Sequence, residues 1–281
     1  MPQSRPLSGS TRLAAILGWP LSYTLSPRFQ NAALAADGLD AAYVAFAAPD
    51  EKAFLALARG LMASPQFVGA NITNPYKLAA RRLATRLSPA AKAIGAVNTL
   101  ARQGRAWLGD NTDAPGFVAA LRAAQVPLRG KRVLVLGAGG AARAVVWACG
   151  QAGAAQVLVL ARRPAQAKKT AFLAGKAGLS VAWTPGVLGL LSLGADVVVN
   201  TLPGAPLGGQ VGRELSPRGR AKAVAVDISY VPLDTPFLKA AKQRGWRSLN
   251  GLEMLLQQGR LSYALWFGHA PSMSVLRRSL R

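Results

Sequence analysis

Residues Arg132–Leu136, RVLVL, form a pure strand run, and Gly137-Ala138-Gly139-Gly140-Ala141-Ala142 follows at once, opening a helical stretch that reaches about Gly150. A strand that turns on glycine directly into a helix, with the further strand Gln156–Leu160 behind it, defines a βαβ unit in a parallel sheet. The spacing is G-x-G-x-x-A. Such glycines let the chain turn tightly and approach a pyrophosphate, whose charge then faces the helix N-terminus. A purely structural glycine turn shares the first residues, but the flanking strands favour a dinucleotide site at Gly137, Ala138, Gly139, Gly140 and Ala141.

The end of the second strand bears on which dinucleotide. An NAD site places a carboxylate there for the ribose 2′-hydroxyl, whereas this chain offers Ala161-Arg162-Arg163-Pro164 and no acid. Guanidinium groups at Arg162 and Arg163 suit a 2′-phosphate, so NADP is the expected cofactor. The alternative is a solvated helix start.

With 281 residues, 51% of them hydrophobic, and a mean hydropathy of +0.22, the chain has material for two packed domains. Short apolar runs alternate with longer helical ones, predicting an α/β protein. Strands are expected at Arg12–Leu17, Ala41–Ala47, Phe67–Asn71, Ser180–Trp183, Asp196–Asn200, Ala223–Ile228 and Arg247–Leu249. Helices are expected from Ser26-Pro27, over Glu51–Met62 and from Asn74-Pro75, with a hairpin in Ala96–Gly109 and Asp113 capping the helix after it. A nucleotide-binding domain of the Rossmann type is placed at residues 117–252, and residues 1–116 form a first α/β domain, mainly parallel, to which helices in residues 253–281 return.

Residue counts remove other chemistries. One histidine, His269, and one cysteine, Cys149, cannot build a zinc finger, a histidine metal cage, an iron–sulfur site or a disulfide framework, so no metal is expected. A Ser-His-Asp triad would rest on His269 alone, and Trp266-Phe267-Gly268-His269-Ala270-Pro271 reads as a helix end where that ring caps or packs. No apolar run approaches the roughly 18 residues of a membrane span. Leu13–Leu21, broken by Gly18 and Pro20, reads as a strand rather than a signal peptide, and the expected location is the cytoplasm.

The formal charge of +23 comes from 34 Lys and Arg against only 11 Asp and Glu, a scarcity of acids that marks each remaining one for inspection. It raises a rival reading, a polyanion-binding protein. Dedicated nucleic-acid binders concentrate their cations. Here no basic run exceeds two residues, as in Arg81-Arg82, Lys168-Lys169 and Arg277-Arg278, and no aromatic residues interleave with them.

Four polar clusters interrupt the apolar segments at strand ends and helix starts: Thr24-Leu25-Ser26-Pro27, Asn71-Ile72-Thr73-Asn74-Pro75-Tyr76-Lys77, Val97-Asn98-Thr99 and Asn111-Thr112-Asp113. Strand ends form the ligand crevice of open α/β sheets. Lys77 is expected in the first turn of its helix, where the positive dipole end disfavours an ammonium and lowers its pKa. An ordinary exposed lysine is the other reading. Asp113 is either its acid–base complement or a plain N-cap, and Ser26 is a cap or a carboxylate-binding hydroxyl.

Taken in order, these clusters resemble the shikimate dehydrogenase family. The likeness extends through Gly18-Trp19-Pro20, Gly95-Ala96, Ala114-Pro115-Gly116-Phe117, Asn200-Thr201-Leu202-Pro203, Asp227-Ile228-Ser229-Tyr230-Val231-Pro232 and Asn250-Gly251-Leu252-Glu253-Met254-Leu255-Leu256-Gln257-Gln258, nearly the whole chain. It implies NADP-dependent reduction of 3-dehydroshikimate to shikimate, a step of aromatic amino-acid biosynthesis, by a monomer or homodimer with no specific nucleic-acid or membrane partner. The resemblance further implies that Lys77 and Asp113 handle the proton of the reacting oxygen. It assigns the substrate carboxylate to Thr24 and Ser26 with Tyr230 nearby, and the ring hydroxyls to Thr73, Asn98 and Gln258. Thr201, Gly251 and Met254 would join the glycine loop and the two arginines on the cofactor, although Met254 alone also reads as core. Two departures stand out. Thr24-Leu25-Ser26-Pro27 replaces the family's Ser-x-Ser-Pro, which bears on shikimate against quinate, and Ala161-Arg162-Arg163 replaces a frequent Asn-Arg-Thr. A quinate or shikimate dehydrogenase with NAD or dual cofactor use is the close alternative.

The charge predicts non-specific adhesion whatever the function. The protein should be retained on a heparin column at low salt and released as the Debye length shrinks to about 3 Å near 1 M salt; elution insensitive to salt would contradict a diffuse positive field.

Overall fold

The computed structural model describes residues 7–202, 204–216 and 223–281. These fall into two compact units, Met1–Thr112 with Leu256–Arg281, and Asp113–Leu255. The boundaries read from sequence, 116/117 and 252/253, both fall within helices, which begin at Asp113 and Leu252.

The first unit opens with strand β1 (Arg12–Gly18), helix α1 (Ser26–Ala36), β2 (Ala41–Ala47), α2 (Glu51–Ala63) and β3 (Phe67–Ile72). After a 3-10 segment at Ala79–Leu83 come the short β4 (Arg86–Leu87), α3 (Pro89–Ile94) and the hairpin β5 (Thr99–Gln103) and β6 (Ala106–Asp110). The sheet order is β2-β1-β3-β5-β6-β4. β1 runs parallel to both β2 and β3, whereas β5 is antiparallel to β3 and to β6. Because β1 (RLAAILG) is buried along most of its length, it reads as a continuous apolar run rather than an alternating one. Below it Phe54 stacks on Tyr76 at 4.6 Å, within a core that includes Phe67, Leu100 and Trp107.

The second unit holds α4 (Asp113–Ala123), β7 (Arg132–Leu136), α5 (Gly140–Gln151), β8 (Gln156–Ala161), α6 (Pro164–Ala171) and β9 (Gly178–Ala182). It continues through α7 (Val187–Leu193), β10 (Val197–Asn200), α8 (Ala205–Glu214), β11 (Val224–Asp227), α9 (Pro236–Gln243) and β12 (Arg247–Leu249). All its strand pairs are parallel, in the order β12-β11-β10-β7-β8-β9. This is the doubly wound Rossmann order, with the direction of winding reversing at β7 and β10. The Val- and Leu-rich strands are buried on both faces, as crossover helices require.

The last helices are α10 (Leu252–Phe267) and α11 (Met273–Arg278). Residues of α10 dock on the first unit through directed bonds: Trp266 Nε1–H donates to the Leu100 carbonyl at 2.9 Å, and Gln30 Nε2–H to that of Gly259 at 3.0 Å. Tyr263 O–H donates to Asp37 Oδ2 at 2.5 Å, and burial, reinforced by this hydrogen bond, holds the phenol well above its usual pKa. His269 approaches the same carboxylate oxygen at 2.8 Å and meets the Tyr263 ring edge-on, a packing role at the end of the helix. No helix among the described residues is long and apolar enough to cross a membrane.

Cys149 sits fully buried in α5, and burial pushes its thiol up to about 12. The thiolate is the reactive form. The native protein should therefore be silent to a disulfide-exchange reagent at pH 8 and release one equivalent only when unfolded in guanidinium; rapid native labelling would show that α5 does not pack as described.

Candidate functional site

Strand directions alone gather the polar clusters of the first unit. β1 and β3 are parallel neighbours, so the chain leaves both at one sheet edge. β5 runs antiparallel to β3 and begins at that edge, and β6, antiparallel again, ends there. Residues 19–26, 73–77, 97–99 and 111–112 therefore share it. Backbone hydrogen bonds lock the segments together: Trp19 N–H to the Asn74 carbonyl at 2.9 Å, Thr73 N–H to Leu17 at 2.9 Å, Ile72 N–H to Asn98 at 2.7 Å and Asn98 N–H to Asp110 at 3.0 Å.

Two local expectations fail. Lys77 does not lie in the first turn of an α-helix. The chain turns at Thr73–Tyr76, with Tyr76 N–H on the Thr73 carbonyl at 3.1 Å, and the next helical segment is the 3-10 turn at Ala79–Leu83. The Lys77 carbonyl, which a helix would direct to the residue four ahead, instead accepts Val97 N–H at 2.8 Å. The helix-dipole argument for this ammonium falls with the helix, and what holds Lys77 is a half-buried turn strapped to the residue before Asn98.

Ser26 is likewise no N-cap. Leu25 holds that position and makes no side-chain cap, while Ser26 and Pro27 sit inside the first turn of α1. Ser26 is 2% exposed and its N–H donates to Thr24 Oγ1 at 3.3 Å, so the threonine does the local capping.

Asn98 and Gln258 are both buried and come together, Asn98 Nδ2 lying 3.4 Å from Gln258 Oε1. Around them is a cluster that sequence reasoning passed over in part: Tyr43, Asn71, Thr99, Thr112 and Ser262. Helical period was the available signal for Ser262, since it lies one turn beyond Gln258 and hence on the same face of α10. Thr73 is half-buried in the turn that also carries Lys77.

In the second unit the glycine loop lies where the sheet reverses. Gly137 ends β7 with φ +113°, a region closed to side chains, and a Cβ there would meet Thr201 Oγ1 at 2.6 Å. Thr201, just beyond β10, bonds back to the Leu136 carbonyl through its hydroxyl at 2.7 Å. Thr201 thus buttresses the loop. A Cβ on Gly139 would project into open space, and no side chain caps α5, whose first-turn N–H groups remain for an anion. Ala138 and Gly140 are half-buried, while Ala141 is buried. Arg162 and Arg163 are exposed at the end of β8, next to β7 in the sheet, and neither is in an ion pair among the described residues. This donor set fits a dinucleotide with a 2′-phosphate.

Gly251 has a reason of its own to be glycine, because a Cβ would lie 2.0 Å from the Ile228 carbonyl oxygen. Met254 is buried near the start of α10. Tyr230 is half-buried beyond β11, where Asp227 organises the turn. That carboxylate is 2% exposed and accepts Ser229 N–H at 2.9 Å, Thr235 Oγ1–H at 2.7 Å and Asn200 Nδ2–H at 3.2 Å. Asp113, 5% exposed, is the first residue of α4, directly after Thr112. Pro203, part of the quoted motif, lies outside the described residues.

Comparison with known proteins gives this geometry its context. Residues 16–100 match the model of the shikimate dehydrogenase substrate binding domain, and residues 251–281 that of the shikimate 5′-dehydrogenase C-terminal domain. The chain is 39% identical over 280 residues to shikimate dehydrogenase (NADP(+)) of Geobacter metallireducens, covering 97% of this chain and 96% of that one. It is 40% identical over 283 residues to the enzyme of the same name from Moorella thermoacetica, covering 98% and 94%. A solved structure of shikimate 5-dehydrogenase from Thermus thermophilus, in complex with NADP(H) and shikimate, superposes with a TM-score of 0.80 at 35% identity over 95% of this chain and 98% of that one. The chain belongs to the shikimate dehydrogenase family.

Proposed function

We propose that the protein is an NADP-dependent oxidoreductase that reversibly reduces 3-dehydroshikimate to shikimate, on the path to the aromatic amino acids. The observation that carries this reading is the single sheet edge on which hydroxyls, amides and one lysine converge, in a chain with relatives of that name along almost its entire length. The first unit then takes the substrate and the second the cofactor.

Each role follows from the local chemistry. Thr24 Oγ1 accepts the Ser26 N–H, which leaves its own proton to donate to a carboxylate oxygen. Ser26 adds a second hydroxyl at the positive end of α1, and the family resemblance assigns Tyr230 to the same carboxylate. Thr73, Asn98 and Gln258 take the ring hydroxyls, the buried amide pair discriminating by the unpaired groups a wrong substrate would leave. Lys77 and Asp113 handle the proton of the reacting oxygen, one giving it up as the carbonyl becomes an alcohol and the pair recovering it from solvent. NADPH, when bound, supplies the hydride. Gly137 to Ala141 would hold its pyrophosphate and Arg162 and Arg163 its 2′-phosphate, with Thr201, Gly251 and Met254 completing the cofactor site.

A four-way assay tests this: shikimate and quinate, each with NADP and with NAD. Shikimate with NADP should be the productive pair, and turnover with NAD alone would remove the role given to the arginines. Lys77→Ala should lower kcat by about 10²–10⁴-fold, the usual range for a proton-transfer group, with the KM for NADP little changed. Arg162→Ala and Arg163→Ala should each raise the KM for NADP by roughly tenfold or more while leaving any NAD turnover alone.

A further inference from the structure

The buried polar cluster behind Asn98 and Gln258 has two ends whose hydrogen-bond sense is set by groups that cannot reverse. At one end Asn98 Oδ1 accepts the Thr112 backbone N–H at 2.7 Å. A backbone donor has no alternative role, so the Asn98 amide is oriented with Nδ2 toward Thr112 Oγ1 at 2.9 Å and Gln258 Oε1 at 3.4 Å. At the other end the Asn98 carbonyl oxygen, which can only accept, lies 3.5 Å from Asn71 Nδ2; Asn71 Oδ1 therefore takes the Tyr43 O–H at 2.8 Å, and Nδ2 also reaches Ser262 Oγ at 2.8 Å.

Ser262 joins the two. It is wholly buried in α10, and its hydroxyl lies 2.8 Å from Thr99 Oγ1, 3.1 Å from Thr112 Oγ1 and 3.1 Å from the Gln258 carbonyl oxygen. Its proton goes to the Gln258 carbonyl and one lone pair takes Asn71 Nδ2, leaving room to accept from one threonine; Thr99 Oγ1 has Asn98 Oδ1 as an acceptor at 3.0 Å, so the Thr112 proton is the one Ser262 holds. Without this oxygen, Asn71 Nδ2 loses a partner and the Thr112 hydroxyl swings toward acceptors already within reach, Asn98 Oδ1 at 3.2 Å and Gln258 Oε1 at 3.5 Å. Both acceptors belong to the amide pair.

We infer that Ser262 is a positioning residue for substrate recognition: through Thr112 it holds the Asn98–Gln258 amide pair in the donor and acceptor arrangement that reads a ring hydroxyl. This rests on the reading that the pair binds substrate. Ser262 touches no substrate itself. A serine that merely ties α10 to the sheet would support stability and leave recognition untouched, so the two roles separate by experiment.

Steady-state kinetics of Ser262→Ala, in the full chain, should show the KM for shikimate raised by about 3–10-fold, the equivalent of one neutral hydrogen bond, with kcat and the KM for NADP within twofold of wild type. In a Gln258→Ala background the same substitution should add little, because the group it orients is gone. A shikimate analogue lacking the hydroxyl read by the pair should show no penalty. Ser262→Cys, which keeps the volume and weakens the bond, should give a smaller shift of the same kind and serves if the alanine variant does not fold. An unchanged shikimate KM in a folded Ser262 variant, or an equal penalty with and without Gln258, would overturn the inference. Asn98→Ala and Gln258→Ala with wild-type shikimate KM would instead overturn the substrate assignment beneath it.

Discussion

The hydrogen bond from Ile72 N–H to the Asn98 carbonyl joins the end of a parallel strand to the start of an antiparallel one. An all-parallel sheet returns every chain from the far edge, so successive strand ends are separated by crossovers. By reversing β5, the first sheet delivers Asn98 to the same edge as Thr73 and Lys77, and β6 brings Thr112 back beside it. Amides, hydroxyls and a lysine from distant segments then meet without a long loop. The second unit makes the complementary choice. Its sheet is parallel throughout, and the reversal of winding at β7 and β10 opens the place where Gly137 and Thr201 press together.

Much of this was legible because it depends on period and punctuation. Gly137 to Ala142 announced a strand–turn–helix, and Val- and Leu-rich runs announced strands buried on both faces. The failures have a common cause. Lys77 and Ser26 were placed by generic rules for helix starts, and each is governed by a particular hydrogen bond instead: the Lys77 carbonyl is taken by Val97, twenty residues on, and the Ser26 N–H by the Thr24 hydroxyl two residues before it. Ser262 was missed for another reason. Its place one turn beyond Gln258 puts it on the same helix face but does not say what it meets, and its meaning lies in Asn71, Thr99 and Thr112, which only the folded sheet brings to it.

The scarcity of acids also reads differently once they are located. Asp227 ties three groups at the end of β11, Asp50 caps α2 through Ala53 N–H, and Asp37 joins Tyr263 and His269. Asp40 gathers Ser8, Ser10 and Thr11, Asp196 faces Lys131 and the Arg132 N–H, and Glu51 pairs with Arg82. Most of these carboxylates accept from the backbone or a hydroxyl, while Glu51 faces only a cation among the described residues. The surplus cations are not organised around them, and the charge is a property of the surface rather than of the sites.

The assignment of residues 256–281 to the first unit bears on the order in which a ribosome can complete the molecule. The second unit is contiguous and can close as soon as its own strands have emerged, whereas the sheet begun by the first hundred residues waits for the helix that carries Gln258, Ser262 and Trp266. Until then Asn71, Asn98 and the Leu100 carbonyl lack their final partners. Vectorial synthesis therefore leaves the earliest-made sheet as the last part to become watertight, and a chaperone that shields exposed strand surface would be needed there longest.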